Sequence, residues 1–166
     1  MKTDLQSLLM LGAGSAFFIY LLAKMLVPRI GGDESFRAAH QRIGAAKRKA
    51  ADRGATPAAR AAALREAAMI ALQELKRPEL AASYALRAER LYPADVEGIG
   101  LLSAALRQGT KYRALERILW RQLAAAARGS AGYERSFEEL VGLYDGPLQR
   151  PEAAKVLRAL KSAARA

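Results

Sequence analysis

The chain contains no cysteine and only one histidine, and these two scarcities exclude several kinds of chemistry. Without cysteine, the protein has no disulfide, no thiolate metal site and no cysteine nucleophile. His40 has no second imidazole with which to bind a metal and no partner at a spacing that suggests a catalytic triad. We therefore predict no catalytic residue, no metal site and no cofactor, and we do not expect an enzyme.

Residues that favour β-strands are also scarce. Alanine instead occurs in doublets and longer runs, as at 61–63 and 124–127. Alanine is the strongest helix former, whereas strands are enriched in β-branched and aromatic residues. The composition therefore predicts an all-α protein without a sheet.

Charge is absent from one long run near the start of the chain. No charged side chain occurs from Leu5 to Ala23, and the apolar run continues past Lys24 to Val27. A helix of about 20 residues spans roughly 30 Å, the hydrocarbon thickness of a bilayer. Since no signal-peptidase site follows the run, the sequence predicts an uncleaved, single-pass transmembrane anchor over residues 1–28.

The basic residues around this run predict its orientation. Lys2 alone precedes the predicted span, whereas Lys24, Arg29, Arg37 and Arg42 follow it. Positively charged flanks stay on the cytoplasmic side of a membrane. We therefore expect a membrane protein with a cytoplasmic C-terminal domain.

Small residues cluster inside the predicted span. Gly12 and Ala16 are four residues apart and so share one helix face. Such pairs allow two transmembrane helices to approach closely. The cluster is a candidate site of transmembrane helix packing, and small-residue filler is the alternative.

The rest of the chain reads as helices that are separated by short turns. A basic amphipathic helix occupies the predicted juxtamembrane segment 29–54, and a helical-repeat domain is predicted over residues 55–166. Thr56-Pro57 and Asp95 are typical helix starts, and Gly54, Pro93 and Gly129 interrupt the pattern. The predicted helices of the repeat domain cover about 57–76, 78–91, 95–107, 111–128, 131–144 and 151–164. Short turns between such helices predict antiparallel neighbours.

Part of this domain resembles a known repeat family. Ala81, Ala88 and Pro93 have the small, small, proline spacing of the second helix of a tetratricopeptide repeat, and the resemblance covers residues 62–128. The resemblance implies a helical-hairpin α-solenoid. Proteins with such repeats generally act as protein-binding adaptors, so a protein partner is expected.

Basic residues dominate the charge, which is +11 in total. Lys47, Arg48 and Lys49 form a run near the predicted membrane segment and are candidates for contact with anionic lipid. A solvated helix face is the alternative. Nucleic-acid binding is disfavoured because no aromatic residues alternate with the run and no known nucleic-acid module is present.

A second basic surface lies on the predicted helix 111–128. Arg113, Arg117 and Arg121 repeat every four residues and so share one face, near Trp120. Tryptophan and arginine are enriched at the energetic centres of interfaces, and these four residues are the candidate partner-binding site. Alternatively, Trp120 packs under a neighbouring helix with Arg117 against its edge.

These features together predict a membrane-anchored helical-repeat scaffold or adaptor that docks a partner protein or a subunit of a membrane complex. Two alternatives remain open. The same fold could serve outside the cytoplasm as an envelope assembly factor, or the basic chain could bind nucleic acid or another anionic surface.

Overall fold

The computed structural model describes residues 34–93 and 95–163, and these residues form helices joined by short turns. The chain divides at residue 38 into two compact units, and the described part of the first unit is the helical segment 34–38. The first described helix, α1, covers residues 34–51. The six helices that follow are α2 (Pro57–Gln73), α3 (Pro78–Leu91), α4 (Val96–Gln108), α5 (Tyr112–Ala125), α6 (Ala131–Asp145) and α7 (Pro151–Ala163). The predicted all-α class is confirmed for the described chain.

Several helices begin at the residues that their sequence signals predict. Thr56 caps α2, since its side chain accepts a hydrogen bond from the Ala59 backbone N–H, and Pro57 follows in the first turn. Asp95 caps α4 by accepting from the Gly98 backbone N–H at 3.0 Å. Such side chains satisfy N–H groups that have no partner inside the helix. Local chemistry therefore determines where these helices start.

Two helices end earlier than predicted. Lys76 adopts a φ of 54°, in the left-handed region, so α2 ends at Gln73 and not near residue 76. Ala126 is extended, so α5 ends at Ala125, although the alanines at 124–127 favour a longer helix. Ser130 caps α6 after a short turn.

The helices stack as antiparallel pairs. Each helix from α2 to α7 contacts the next one along the chain, and contacts also join α2 to α4 and α4 to α6. One layer therefore consists of α2, α4 and α6, and α3, α5 and α7 each pair with a member of that layer. This is the arrangement of stacked helical hairpins. The contacts do not identify a repeat type, and the tetratricopeptide resemblance stays a prediction.

Small side chains make the first hairpin of this stack, α2 with α3, especially close. Ala61, Ala67 and Ala68 on α2, and Ala81 and Ala85 on α3, have no solvent exposure. Alanine lets two helix backbones approach closely and adds little side-chain volume between them. The contact between α2 and α3 is accordingly the most extensive between any two helices from α2 to α7.

α1 extends the same core. Ala39, Ile43, Ala46 and Ala50 are buried, with the 4-3-4 spacing of one helix face. The Arg60 side chain of α2 donates a hydrogen bond to the Ala50 carbonyl at 2.9 Å. The C-terminal end of α1 is thus attached to the first turn of α2.

The predicted transmembrane part of the fold is not found in the described chain. Crossing a bilayer takes about 20 consecutive apolar residues. Within 34–93 and 95–163 every helix is too short or too charged to meet that requirement. For example, α1 carries six charged side chains: Glu34, Arg37, Arg42, Lys47, Arg48 and Lys49.

The corresponding predictions are therefore corrected. The predicted anchor over residues 1–28, with the Gly12 and Ala16 packing site, lies outside the described residues. The membrane class, the single-pass topology and the cytoplasmic location all depended on that anchor. Since no described helix is a membrane span, these predictions are withdrawn.

Candidate partner-binding groove

α5 carries the residues that the sequence analysis singled out, and its two faces differ sharply. Leu115 and Leu119 are fully buried and attach the helix to the core, and Gln122 one turn later is also buried. Arg113, Arg117, Trp120 and Arg121 are exposed on the remaining surface. This amphipathic pattern presents the basic residues and the tryptophan to solvent.

Trp120 lies at the edge of the core and is held by a hydrogen-bonded chain. Its indole N–H donates to the Tyr144 hydroxyl at 3.0 Å, and that hydroxyl donates to Glu116 Oε1 at 2.8 Å. Arg150 Nη1 lies 3.6 Å from the same carboxylate oxygen. The indole is thus fixed in orientation although its side chain remains 45% exposed. A fixed, half-exposed tryptophan loses little conformational entropy when another protein covers it.

Tyr144, whose hydroxyl links Trp120 to Glu116, is only 5% exposed. Burial raises the pKa of its hydroxyl above the ordinary value of 10.0, and the nearby Glu116 carboxylate adds to the increase. The hydrogen bond from Trp120 lowers the pKa and partly opposes both effects. Tyr144 therefore stays protonated at neutral pH and keeps donating to Glu116.

Trp120 forms part of one wall of an open groove of about 810 Å³. Its two walls are α5 and α7, and its floor is α6. The lining side chains are mainly apolar: Trp120, Leu123, Ala124, Tyr133, Phe137, Leu157, Leu160 and Ala163, together with Gly129 and the charged Arg128, Glu134 and Lys161. The volume is within the range of sites that bind drug-sized molecules.

The floor and the mouth of the groove differ in exposure. Phe137 is buried on α6, and its ring stacks with that of Tyr133 at 6.4 Å between centroids. Leu160 on α7 is 62% exposed and lines the groove on the wall opposite that of Trp120. Two large apolar side chains thus stand uncovered on opposite walls. Their shared position in one concave, mainly apolar groove makes this surface the candidate binding site.

Charged groups of the groove are only partly neutralised. Lys161 forms an ion pair with Glu134, and its ammonium also lies 4.8 Å from the centre of the Phe137 ring. Arg128 makes no ion pair with any described residue. The groove consequently carries a net positive charge on the side of α5.

The predicted arginine face divides into separate environments. Arg113 is paired with Glu116 at 3.2 Å, and with Arg117 it lines a smaller recess of about 490 Å³ at the start of α5. Arg121 is exposed and lines neither the groove nor that recess. Of the four candidate residues, Trp120 alone lines the groove. Arg117 precedes it by one turn, roughly 4.5 Å along the helix axis.

The second predicted basic site lies elsewhere in the fold. Lys47, Arg48 and Lys49 are exposed near the end of α1, and none forms an ion pair with a described residue. None of these three residues lines the groove. Their contact with anionic lipid stays an untested prediction.

Sequence reasoning missed the α7 wall of the groove. The predicted helix 151–164 was assigned no apolar face, although its apolar arc is wider than one neighbouring helix can cover. Ala154 and Leu157 are buried, whereas Val156 and Leu160 remain exposed on the same helix. The excess width of that arc is the signal that could have indicated a second contact surface.

Comparison of the chain with models of known protein families, with curated proteins and with solved structures finds no match.

Proposed function

We propose that this chain is a helical scaffold that binds a partner protein in the groove between α5 and α7. One observation carries the proposal: the half-exposed Trp120 and the exposed Leu160 line the two walls of one mainly apolar groove. Tryptophan is among the residues that contribute most binding energy when a partner covers them.

The hydrogen-bonded chain behind Trp120 supports the same proposal. Tyr144 and Glu116 hold the indole on the α5 wall, and buried Leu115 and Leu119 hold α5 on the core. A surface that is fixed before binding loses less entropy on association than a mobile one. The groove is thus a preorganised surface on a rigid helical stack.

Site-specific photocrosslinking in the cells from which the chain comes tests whether a protein occupies the groove. A photoreactive amino acid replaces Leu160, and a matched control replaces Met69. Met69 is 46% exposed on α2, and that helix contacts α3 and α4. We expect a defined protein to be trapped from position 160 and not from position 69.

A substitution in the opposite wall makes the test specific. Trp120→Ala should abolish the crosslink from position 160, whereas Met69→Ala should leave it unchanged. Equal crosslinking from positions 160 and 69, or a crosslink that survives Trp120→Ala, would contradict the proposed function.

A further inference from the structure

We infer that the partner inserts an acidic amphipathic helix into this groove; the inference rests on the proposed function and specifies the ligand of the same site. The shape and hydrogen bonding of the groove favour a helix, and its charge favours an acidic one.

The lining of the groove favours a helix over an extended peptide. Its walls and floor are mainly side chains of α5, α6 and α7, and away from the helix ends the backbone groups of these helices are bonded within each helix. An extended peptide needs backbone partners, and an apolar groove that offers none leaves its N–H and C=O groups unsatisfied. A helix satisfies its own backbone groups and presents only side chains. Helices in apolar grooves bind through residues spaced i, i+3, i+4 and i+7.

The charges around the groove favour an acidic ligand. Arg117, Arg121 and Arg128 form no ion pair with any described residue, so their charges are uncompensated. Arg128 lines the groove just beyond the end of α5, and Arg117 and Arg121 are exposed on α5 outside the groove lining. The carboxylate among the lining residues, Glu134, is paired with Lys161. A helix with acidic residues along the flank that faces α5 would neutralise these arginines without meeting an unpaired carboxylate.

The chain contains a single tryptophan, so the fluorescence of Trp120 reports directly on the groove. The experiment titrates the full-length chain with three synthetic peptides that lack tryptophan. The first is a helix with leucines at i, i+3, i+4 and i+7 and glutamates on the flanks. The second has lysines in place of the glutamates, and the third has the composition of the first with its leucines dispersed around the helix.

We expect the acidic amphipathic peptide to shift the Trp120 emission to shorter wavelength. Its Kd should be about tenfold lower than that of the lysine peptide, since several rim ion pairs of modest strength act together. The dispersed peptide should bind at least as weakly as the lysine peptide. Raising the salt concentration should reduce the difference between the acidic and the lysine peptide.

Charge reversal provides the matched control. Arg117→Glu combined with Arg128→Glu should invert the preference, so that the lysine peptide binds more tightly than the acidic one. Arg87→Glu reverses an exposed charge on α3 and should leave the preference unchanged. The inversion cannot arise from loss of folding, because an unfolded variant would bind neither peptide.

Several outcomes would overturn the inference. Equal binding of the acidic and lysine peptides would refute the acidic ligand, and equal binding of the dispersed peptide would refute the amphipathic helix. A dimer that Leu160→Asp dissociates would show that a second copy of the chain fills the groove. A fatty acid that shifts Trp120 emission when no peptide does would indicate a small apolar ligand.

The inference and the proposed function can fail separately. If no peptide binds but the crosslink from position 160 still depends on Trp120, the acidic helix is wrong and the docking groove stands. If the crosslink does not depend on Trp120, the proposed function itself is wrong.

Discussion

One end of the helical stack is a hairpin of two helices in direct contact, α2 and α3, whereas at the other end α5 and α7 do not contact each other and both pack on α6. Between α2 and α3 the buried residues are mostly alanine, and the two helices lie in extensive contact. Between α5 and α7 the residues are larger, and the two walls leave a groove floored by Phe137. Small side chains thus close a helix interface, whereas large ones that are not matched by a facing helix leave a surface available for binding.

Substitutions in these two regions should affect different properties of the protein. Substitutions between α2 and α3 should affect mainly the free energy of unfolding, because nothing in that interface is open to a partner. Substitutions on the groove walls should affect mainly binding, because Trp120 and Leu160 are already exposed to solvent. The expected changes in the free energy of unfolding decrease from the first pair of variants below to the last.

The largest difference is expected for one substitution made in both regions. Ala67→Leu adds a large side chain at a fully buried site on α2 and should lower the free energy of unfolding by about 3 kcal/mol. Ala124→Leu adds the same atoms to the exposed groove wall and should change it by no more than about 0.5 kcal/mol. Urea denaturation followed by circular dichroism measures both. Equal destabilisation would refute the distinction between a closed and an open interface.

The caps of α4 and α6 should differ in how much they contribute to the free energy of unfolding. Asp95 caps α4 and pairs with Arg65 of α2, so Asp95→Ala should destabilise the fold by about 2 kcal/mol. Ser130 caps α6 alone, and Ser130→Ala should cost about 1 kcal/mol. Asp95→Asn keeps a capping oxygen without the charge and should fall between the two. Similar losses for the Asp95→Ala and Ser130→Ala variants would show that the link from α2 to α4 contributes little.

The hydrogen bonds of Tyr144 that hold Trp120 should contribute to the free energy of unfolding, and this contribution should depend on pH. Tyr144→Phe leaves the Trp120 and Glu116 groups without their shared partner and should destabilise the fold by about 1 kcal/mol. Burial raises the pKa of Tyr144, so the unfolded chain releases this proton at a lower pH than the folded chain does. Its contribution to stability is therefore fully present below pH about 10 and is lost as the pH rises through the raised pKa.

Urea denaturation at pH 8 and above pH 10 tests this dependence in the wild-type chain and the Tyr144→Phe variant. The wild-type chain should lose more stability than the variant over that interval. Parallel losses would show that Tyr144 does not titrate differently in the folded state.

The smallest effect on stability is expected at the mouth of the groove. Leu160 is 62% exposed, and Leu160→Asp should change the free energy of unfolding by no more than about 0.5 kcal/mol. The same substitution places a charge opposite Trp120 and should weaken partner binding. A large loss of stability would mean that Leu160 stabilises the fold, which would contradict a role confined to partner binding.

Local features of the structure could be predicted from the sequence to a considerable extent. Thr56 and Asp95 cap the helices that they were expected to cap, because a capping bond involves only residues within one turn. Leu115 and Leu119 are buried as the apolar spacing of α5 indicates. These features depend on neighbouring residues alone.

The groove could not be predicted in this way. Whether Leu160 is covered depends on the separation of α5 and α7, and helical periodicity does not determine a distance between helices. The even spacing of Arg113, Arg117 and Arg121 indicated one basic face, but Glu116 pairs with Arg113 and so removes it from the set of free charges. The transmembrane prediction was drawn from residues 1–28, outside the described chain, and no described helix supports it.

The central claim is that the surface between α5 and α7 binds a partner protein. The measurement that tests it most directly is the affinity of the partner trapped from position 160 for two full-length variants, Leu160→Asp and Val156→Asp. Val156 is 59% exposed on the same helix but does not line the groove, so the two variants match in helix, exposure and added charge. The account predicts that Leu160→Asp raises the Kd by at least about tenfold, or about 1.4 kcal/mol, while Val156→Asp leaves it near the wild-type value. Equal affinity of the two variants for the partner would contradict it.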